Sequence, residues 1–589
     1  MKKKLIGLSL LSLSMLASCD LLETSQTNTT GNNSVISSSE SEPTTAESSS
    51  SVGTTKETPS TTEETPSTTE ETPSTPKETT TDETPIVVDK SVYGYGIDKT
   101  SDFTQYYGTD AYVTVTNAEE FLYALKDARE DYTTTWDAEK NNYTQELHSE
   151  GKVKVIEIAN DIELGYNKIS DEAKKTNLVG NFSQKKSTYD KNGIQASDML
   201  NEYGISQIAI ENTSNLLIYS KNGAKLRHGG FKVNSCYDIV FRNLDMDELW
   251  QWEDANTVKP NVKIGDYDCY GWAYFKINFS SAIWIDHCSF GKSYDGQIDI
   301  ANPVYWTEGT AFRAPYNAEN KHGVSITNCD FHAGSDDKDG YIYKMMEKIE
   351  QNYQEKGEAS DYQFYRTLRD TYGLTFEQIL YGVAIPQKKG FLIGDGTNEA
   401  DTAINHNIYV TFANCRFTNL QDRLPKLRGG FVYMYNCVVD STQFYEYKKV
   451  YKEKNVAEIK NLYSKKFKCG TTSQGLIAAY GGAIRCENCI FLGIEDLAKN
   501  NEKEDSTLGG GISLVDCLYS KDGVAATTLI NTDTNKDSLV LGSGLISVDK
   551  FNWHNEDNKN PFVVTLIDVN ALVDTLSNVY NIGANQITE

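Results

Sequence analysis

The feature that most constrains this chain is a phrase that recurs six times: Asn, His or Asp, then Cys, then any residue, then an apolar or aromatic one. It reads His287-Cys288-Ser289-Phe290, Asn328-Cys329-Asp330-Phe331, Asn414-Cys415-Arg416-Phe417, Asn436-Cys437-Val438-Val439, Asn488-Cys489-Ile490-Phe491 and Asp516-Cys517-Leu518-Tyr519. Short alternating runs precede it, such as Val324-Ser325-Ile326 and Val432-Tyr433-Met434-Tyr435. Asn tolerates the left-handed backbone that a tight bend between two strands requires. Beyond the bend, the period of two sends Cys and the apolar residue to one side, which is therefore the interior. The steps of 22 residues from Cys415 to Cys437 and 28 from Cys489 to Cys517 suit one turn of a β-solenoid.

Stacking such coils puts the cysteines in a column as small buried hydrophobes. Neighbours on parallel strands about 4.8 Å apart point alongside one another, so mostly free thiols are expected. Disulfides would be the ordinary inference for an exported chain. Cys486 and Cys489 have a metal-type spacing but no second pair to complete a zinc site.

The N-terminus belongs to another class of sequence. Lys2 to Lys4 followed by the apolar run Leu5 to Ala17 reads as an export signal over residues 1–19, too short to span a bilayer. Leu16-Ala17-Ser18-Cys19 resembles a bacterial lipobox, which implies lipidation of Cys19 and a lipid-anchored protein at the bacterial cell surface. An ordinary secretory signal is the alternative. Residues 20–88 are rich in Ser, Thr, Glu and Pro, and repeat Glu-Thr-Pro-Ser-Thr from Glu57, Glu64 and Glu71. Such a segment cannot bury enough surface to offset its ordering entropy and reads as a disordered tether, with a glycosylated or partner-binding tail as the alternative. The folded part is then 89–589. A net charge of −27 argues against nucleic acid, and against contact with an anionic membrane other than through the anchor. A monomer is expected.

Two helical exceptions interrupt the β-rich pattern. Thr116-x-x-Glu119 ahead of Phe121, Leu122 and Leu125 predicts an N-terminal helix between Val113 and Arg129, covering the open end of the stack. Residues 332–387 read as a helical insertion, with helices over Tyr341 to Lys356, from Ser360-x-x-Gln363 and from Thr375-x-x-Gln378. It is either a lid or wall of a cleft, or a cap away from it.

Four further phrases fall in one order. They are Asp238-Ile-Val-Phe-Arg242-Asn243-Leu244, Trp284-Ile285-Asp286-His287, Lys389-Gly-Phe-Leu-Ile-Gly394 and Arg423-Leu-Pro425-x-x-Arg428-x-Gly430. Together they resemble the pectate lyase family, polysaccharide lyase family one, over roughly Asp238 to Ser441. The resemblance implies an all-β right-handed parallel β-helix that cleaves polygalacturonate, the de-esterified form of pectin, by β-elimination to 4,5-unsaturated products. It further implies Arg423 as the catalytic base, Lys389 and Arg428 as substrate-binding residues, and Asp295 and Asp299 as ligands of Ca²⁺.

The chemistry of the residues agrees. Elimination removes a weakly acidic proton beside a carboxylate, and a hard cation with fixed positive side chains stabilises the charge that develops. Calcium takes oxygen ligands, which Asp295 and Asp299 on either side of Gly296 can supply. A local cationic cluster also explains how an acidic protein holds a polyanion. Two departures stand out. Ala273 occupies the place of a further calcium-binding Asp, with Asp266 or Asp268 as substitutes, and Tyr433 stands where the family often has His. Ala273 keeps alive a second reading, a non-catalytic or weakly active protein that binds pectic glycans at the cell surface. A hydrolase would need clustered acids beside the basic residues, and none is apparent. Trp250, Trp252 and Trp272 are candidates to stack on sugar rings, or are core packing.

Overall fold

The computed structural model describes residues 92–585, leaving out 93, 98–99, 138–141, 184–192, 196–201, 256–269, 302–322, 397–404, 407, 457–469, 471, 500–508, 525–527, 533–540, 544–563 and 579–580. The export signal, Cys19, the tether over residues 20–88, Asp266 and Asp268 therefore lie outside the described residues.

Each Cys phrase turns a corner as its composition dictates. The residue before the cysteine is left-handed every time: φ is 49° at His287, 52° at Asn328, 54° at Asn414, 52° at Asn436, 50° at Asn488 and 51° at Asp516. Once past the corner, each thiol points inward and donates to the carbonyl two residues back, for example Cys329 to Thr327 at 3.1 Å and Cys437 to Tyr435 at 3.3 Å. The cysteines among the described residues are all free and buried, as the parallel stacking requires. The aromatic that follows forms its own column, with Phe290, Phe331 and Phe417 stacked at 4.5 and 5.1 Å.

The corner amides do more than tolerate positive φ. Asn436 donates to Asn414 at 3.1 Å, Asn414 to Asn328 at 3.0 Å, and Asn328 to Asp286 at 2.8 Å. This ladder satisfies buried polar groups that would otherwise be costly. Asp286 ends it and also accepts from Thr327 at 2.6 Å and from His287, with Arg242 in contact. Trp284 is buried and donates to the same Thr327. Trp284-Ile285-Asp286-His287 is thus scaffold.

Stacked coils make three ten-stranded sheets. The first runs from Tyr112–Val115 to Gly511–Val515, the second from Ile162–Glu163 to Thr528–Ile530, and the third from Val179–Asn181 to Leu541–Ser543. Pairing is parallel throughout except at two ends, Val179–Asn181 against Ser206–Glu211 and Cys517–Ser520 against Thr528–Ile530. The fold is a right-handed parallel β-helix.

The N-terminal helix spans Ala118–Ala128 and buries Phe121, Leu122 and Leu125 against the stack. Its cap falls one residue later than Thr116 predicts: Asn117 accepts from the Glu120 amide, and Glu120 reaches back to the Thr116 amide. Asn caps at least as well as Thr, so the neighbouring residue prevails. In the insertion, Tyr341–Lys356 is helical over the expected range, and Thr375 with Gln378 forms a complete capping box. Ser360 does not cap the middle helix, Gln363–Arg366, whose N-cap is Tyr362; the Ser360 hydroxyl donates to Asn352 and accepts from the Tyr362 amide. The insertion also begins later than 332, since the strand Asp330–Ala333 completes its pairing first. Asp254 accepts from the Phe364 and Tyr365 amides, and buried Lys292 donates to the Val383 and Ala384 carbonyls at 2.7 and 2.6 Å. Those bonds fix the end of the insertion where it enters the third sheet.

Candidate active site

Three consecutive coils of the third sheet carry the strands Ile298–Ala301, Phe391–Ile393 and Lys426–Arg428. Their register puts Asp299 beside Leu392, and Leu392 beside Lys426. Asp299, Lys426 and Arg428 occupy outward positions, while Ile298, Ile300 and Leu427 face the core. The turns leading into these strands are bonded coil to coil: Gln297 N–H to Gly390 O and Gly390 N–H to Asp422 O, both 2.8 Å, and Phe391 N–H to Arg423 O at 2.9 Å. Asp295, Lys389 and Arg423, spread over more than a hundred residues, therefore sit on adjacent turns.

The glycines of the Lys389 phrase are what allow this stacking. A Cβ on Gly390 would lie 2.3 Å from the Arg423 carbonyl oxygen, and one on Gly394 would lie 2.3 Å from that of Arg428. Gly394 also has φ of 89°, which disfavours any larger residue. Each glycine thus lets the coil bearing one arginine approach.

Electrostatics within the cluster are uneven. The Lys389 ammonium donates to Asp295 Oδ1 at 2.6 Å, and both side chains are largely buried. Arg423, with φ of 67°, is half-buried, and among the described residues its guanidinium has no carboxylate partner. Glu446, one conceivable partner, pairs with Lys449 instead. The Arg423 Nε–H is buried without an acceptor.

Asp295 and Asp299 supply hard oxygen donors around a small residue. Asp299 Oδ1 folds back to within 3.1 Å of where a Cβ on Gly296 would stand, so a side chain there would crowd the space between the carboxylates. Oxygen-only donors fit Ca²⁺ rather than a softer metal. Among the described residues no group of three His, Cys, Asp or Glu converges to hold a metal, so two carboxylates alone make an incomplete shell. Ala273 is buried in the preceding coil, whose Trp272 carbonyl accepts the Asp295 amide at 2.9 Å.

Gln387, which the sequence did not single out, joins these turns. Its Oε1 accepts from the Ser293 amide at 3.0 Å, and its Nε2–H bonds are aimed among Ser293 Oγ, the Asp295 carbonyl at 2.8 Å and the Lys389 carbonyl at 2.7 Å. The one hint in the chain is that a polar residue directly precedes Lys388-Lys389 at the end of the insertion. Tyr433, by contrast, lies on the first sheet, buried and donating to Glu487 at 2.6 Å, away from the cluster. Trp250, Trp252 and Trp272 are buried, so they pack and present no platform.

Relatives carry the same architecture. The profile of the family described as Pectate lyase matches residues 373–480. Pectate lyase B of Paenibacillus amylolyticus is 29% identical over 349 residues, covering 59% of this chain and 78% of that protein. The solved structure of the pectate lyase PelN from Paenibacillus sp. 0602 superposes with a TM-score of 0.66 at 27% identity, covering 86% of this chain and 98% of that one. Pectate trisaccharide-lyase of Thermotoga maritima is 31% identical over 87 residues, 15% of this chain and 21% of that protein. These similarities make this chain a polysaccharide lyase. The chain is similar to pectate lyases over most of its length, and pectate lyase activity is its activity in broad terms.

Proposed function

We propose that the protein cleaves polygalacturonate by calcium-dependent β-elimination, leaving 4,5-unsaturated oligogalacturonides. The observation that supports this reading is Arg423, on the turn stacked against that of Lys389 and, among the described residues, in no ion pair with a carboxylate. With no ion pair to hold it elsewhere, the Arg423 side chain can reach the substrate, and the positive charge that Lys389 and bound calcium would supply there favours its taking the carbon-bound proton, directly or through a water. Arg428, two residues beyond Lys426 on the same outer face, and Lys389 hold uronate carboxylates. The Asp295 contact fixes where the Lys389 charge stands.

Asp295 and Asp299 would hold the calcium, and the substrate carboxylate would complete its shell. When bound, calcium neutralises the carboxylate beside the carbon that loses its proton. Incubating the full chain with polygalacturonate and following ultraviolet absorbance of the unsaturated ends tests the reading. Absorbance should rise, stop with chelator, and return with added calcium. Binding without absorbance would instead favour a non-catalytic glycan-binding protein. Reducing ends without absorbance would mean hydrolysis.

Gln387 is a positioning residue in this scheme, because its amide ties the Asp295 and Lys389 backbones together. Gln387→Leu leaves two buried carbonyls without their donor. Residues that support metal ligands typically alter metal affinity about 10- to 100-fold. The calcium concentration for half-maximal activity should rise by that order, with a smaller change in melting temperature. An unchanged calcium titration would remove Gln387 from the scheme.

A further inference from the structure

On the N-terminal side of the site, two coils of the third sheet present one short phrase twice. Phe231-Lys232-Val233-Asn234 pairs with Phe275-Lys276-Ile277-Asn278 residue for residue. Phe231, Phe275, Val233 and Ile277 are buried, whereas both lysines and both asparagines face outward, half-buried. The next coil continues the register, setting Asp299 beside Lys276 and Ala301 beside Asn278. Lys232 and Lys276 thus form a column that leads directly to the Asp299 position. On the other side of the site, the column passes from Lys426 to the buried Ile477.

Like charges directly abreast on neighbouring strands are destabilising, so the fold itself gains nothing from this placement. Only part of the cost is relieved: Lys232 reaches Glu211 at 3.2 Å, a partly buried pair, and Lys276 stands 5.2 Å from the centre of the half-exposed Phe182 ring. In a chain with a net charge of −27, a cationic column beside the cluster marks a place for a polyanion.

We propose that the binding groove extends two coils beyond Asp299 toward the N-terminal end. There Lys232 and Lys276 each bind a carboxylate of one polygalacturonate chain, with Asn234 and Asn278 beside them for hydroxyls and Phe182 as an apolar wall. At about 4.8 Å per coil the extension covers about 10 Å. The inference rests on polygalacturonate being the substrate. It predicts that the groove reaches from the Asp299 position toward Lys232.

The test compares hexagalacturonate with trigalacturonate, using wild type and the Lys232→Ala/Lys276→Ala double variant, with folding checked by circular dichroism. Removing two screened cations should lower the hexamer-to-trimer ratio of kcat/KM about five- to tenfold, with the loss mainly in KM. Lys232→Arg/Lys276→Arg should keep most of the ratio. A ratio unchanged in the alanine variant overturns the extended groove. If wild type cleaves neither oligomer, the lyase reading fails on its own. Calorimetric titration with hexagalacturonate then decides the groove: weaker binding by the alanine variant supports it, and equal binding overturns it.

Discussion

Replacing Arg423 with alanine should lower kcat about 100- to 10,000-fold, the range that a positioned proton-transfer group commands. The loss should appear in kcat and in kcat/KM together, because the base acts only as the proton leaves. Stability should change little, since among the described residues the Arg423 side chain has no ion pair to lose and its Nε–H has no acceptor. Its backbone is different: φ of 67° and the carbonyl bonded to Phe391 N–H serve the stack whatever the side chain is. Measuring absorbance at saturating polygalacturonate, beside a melting curve, separates the two contributions. Undiminished turnover by Arg423→Ala would remove it as the base. Arg423→Lys should also be impaired, because an ammonium on a flexible stem does not reproduce the guanidinium's position.

Asp286→Ala should be the most damaging change outside the site, costing about 3–5 kcal/mol, as expected when one partner of a buried charge network is deleted. The carboxylate is 1% exposed and serves Arg242, His287, Thr327 and the end of the amide ladder. Burial alone would push its pKa up. The charges of His287 and Arg242, with the hydrogen bonds, outweigh burial and hold it well below the usual carboxylate range. A pKa depressed by folding contributes stability that is present above the unfolded value of about 3.9 and is lost as pH falls below it. The gap between wild type and Asp286→Ala should therefore be full near neutrality and shrink below about pH 4. Urea midpoints across that range check it, and equal midpoints at neutral pH would contradict it.

Much of the architecture could be read along the chain because its causes are local. A left-handed corner at Asn, followed by Cys and an aromatic pointing inward, is a matter of φ preference and a two-residue period, and it held at each of the corners quoted. The capping box at Thr375 is local in the same sense. Where the helix start was set by the wider packing, local reasoning slipped: the middle helix begins at Gln363 after Tyr362, and the Ser360 oxygen accepts from the Tyr362 amide while its hydroxyl donates to Asn352.

The site divides along the same line. That Asp295, Asp299, Lys389, Arg423 and Arg428 belong together came from resemblance, not from any local rule. That Lys389 is bonded to Asp295, and that Arg423 pairs with neither Asp422 nor Glu446, depends on how coils stack. The Phe-Lys-x-Asn phrase is visible twice in the chain, but its two lysines become neighbours only through sheet register.

By itself, then, the sequence determined the coil: its corners, its inward face and the helices that interrupt it, because those follow from each residue's own backbone and polarity. Only the tertiary structure decided which charges neutralise one another and which stay available. Electrostatic pairing acts through space, and a solenoid sets its spacing between residues that the chain keeps far apart.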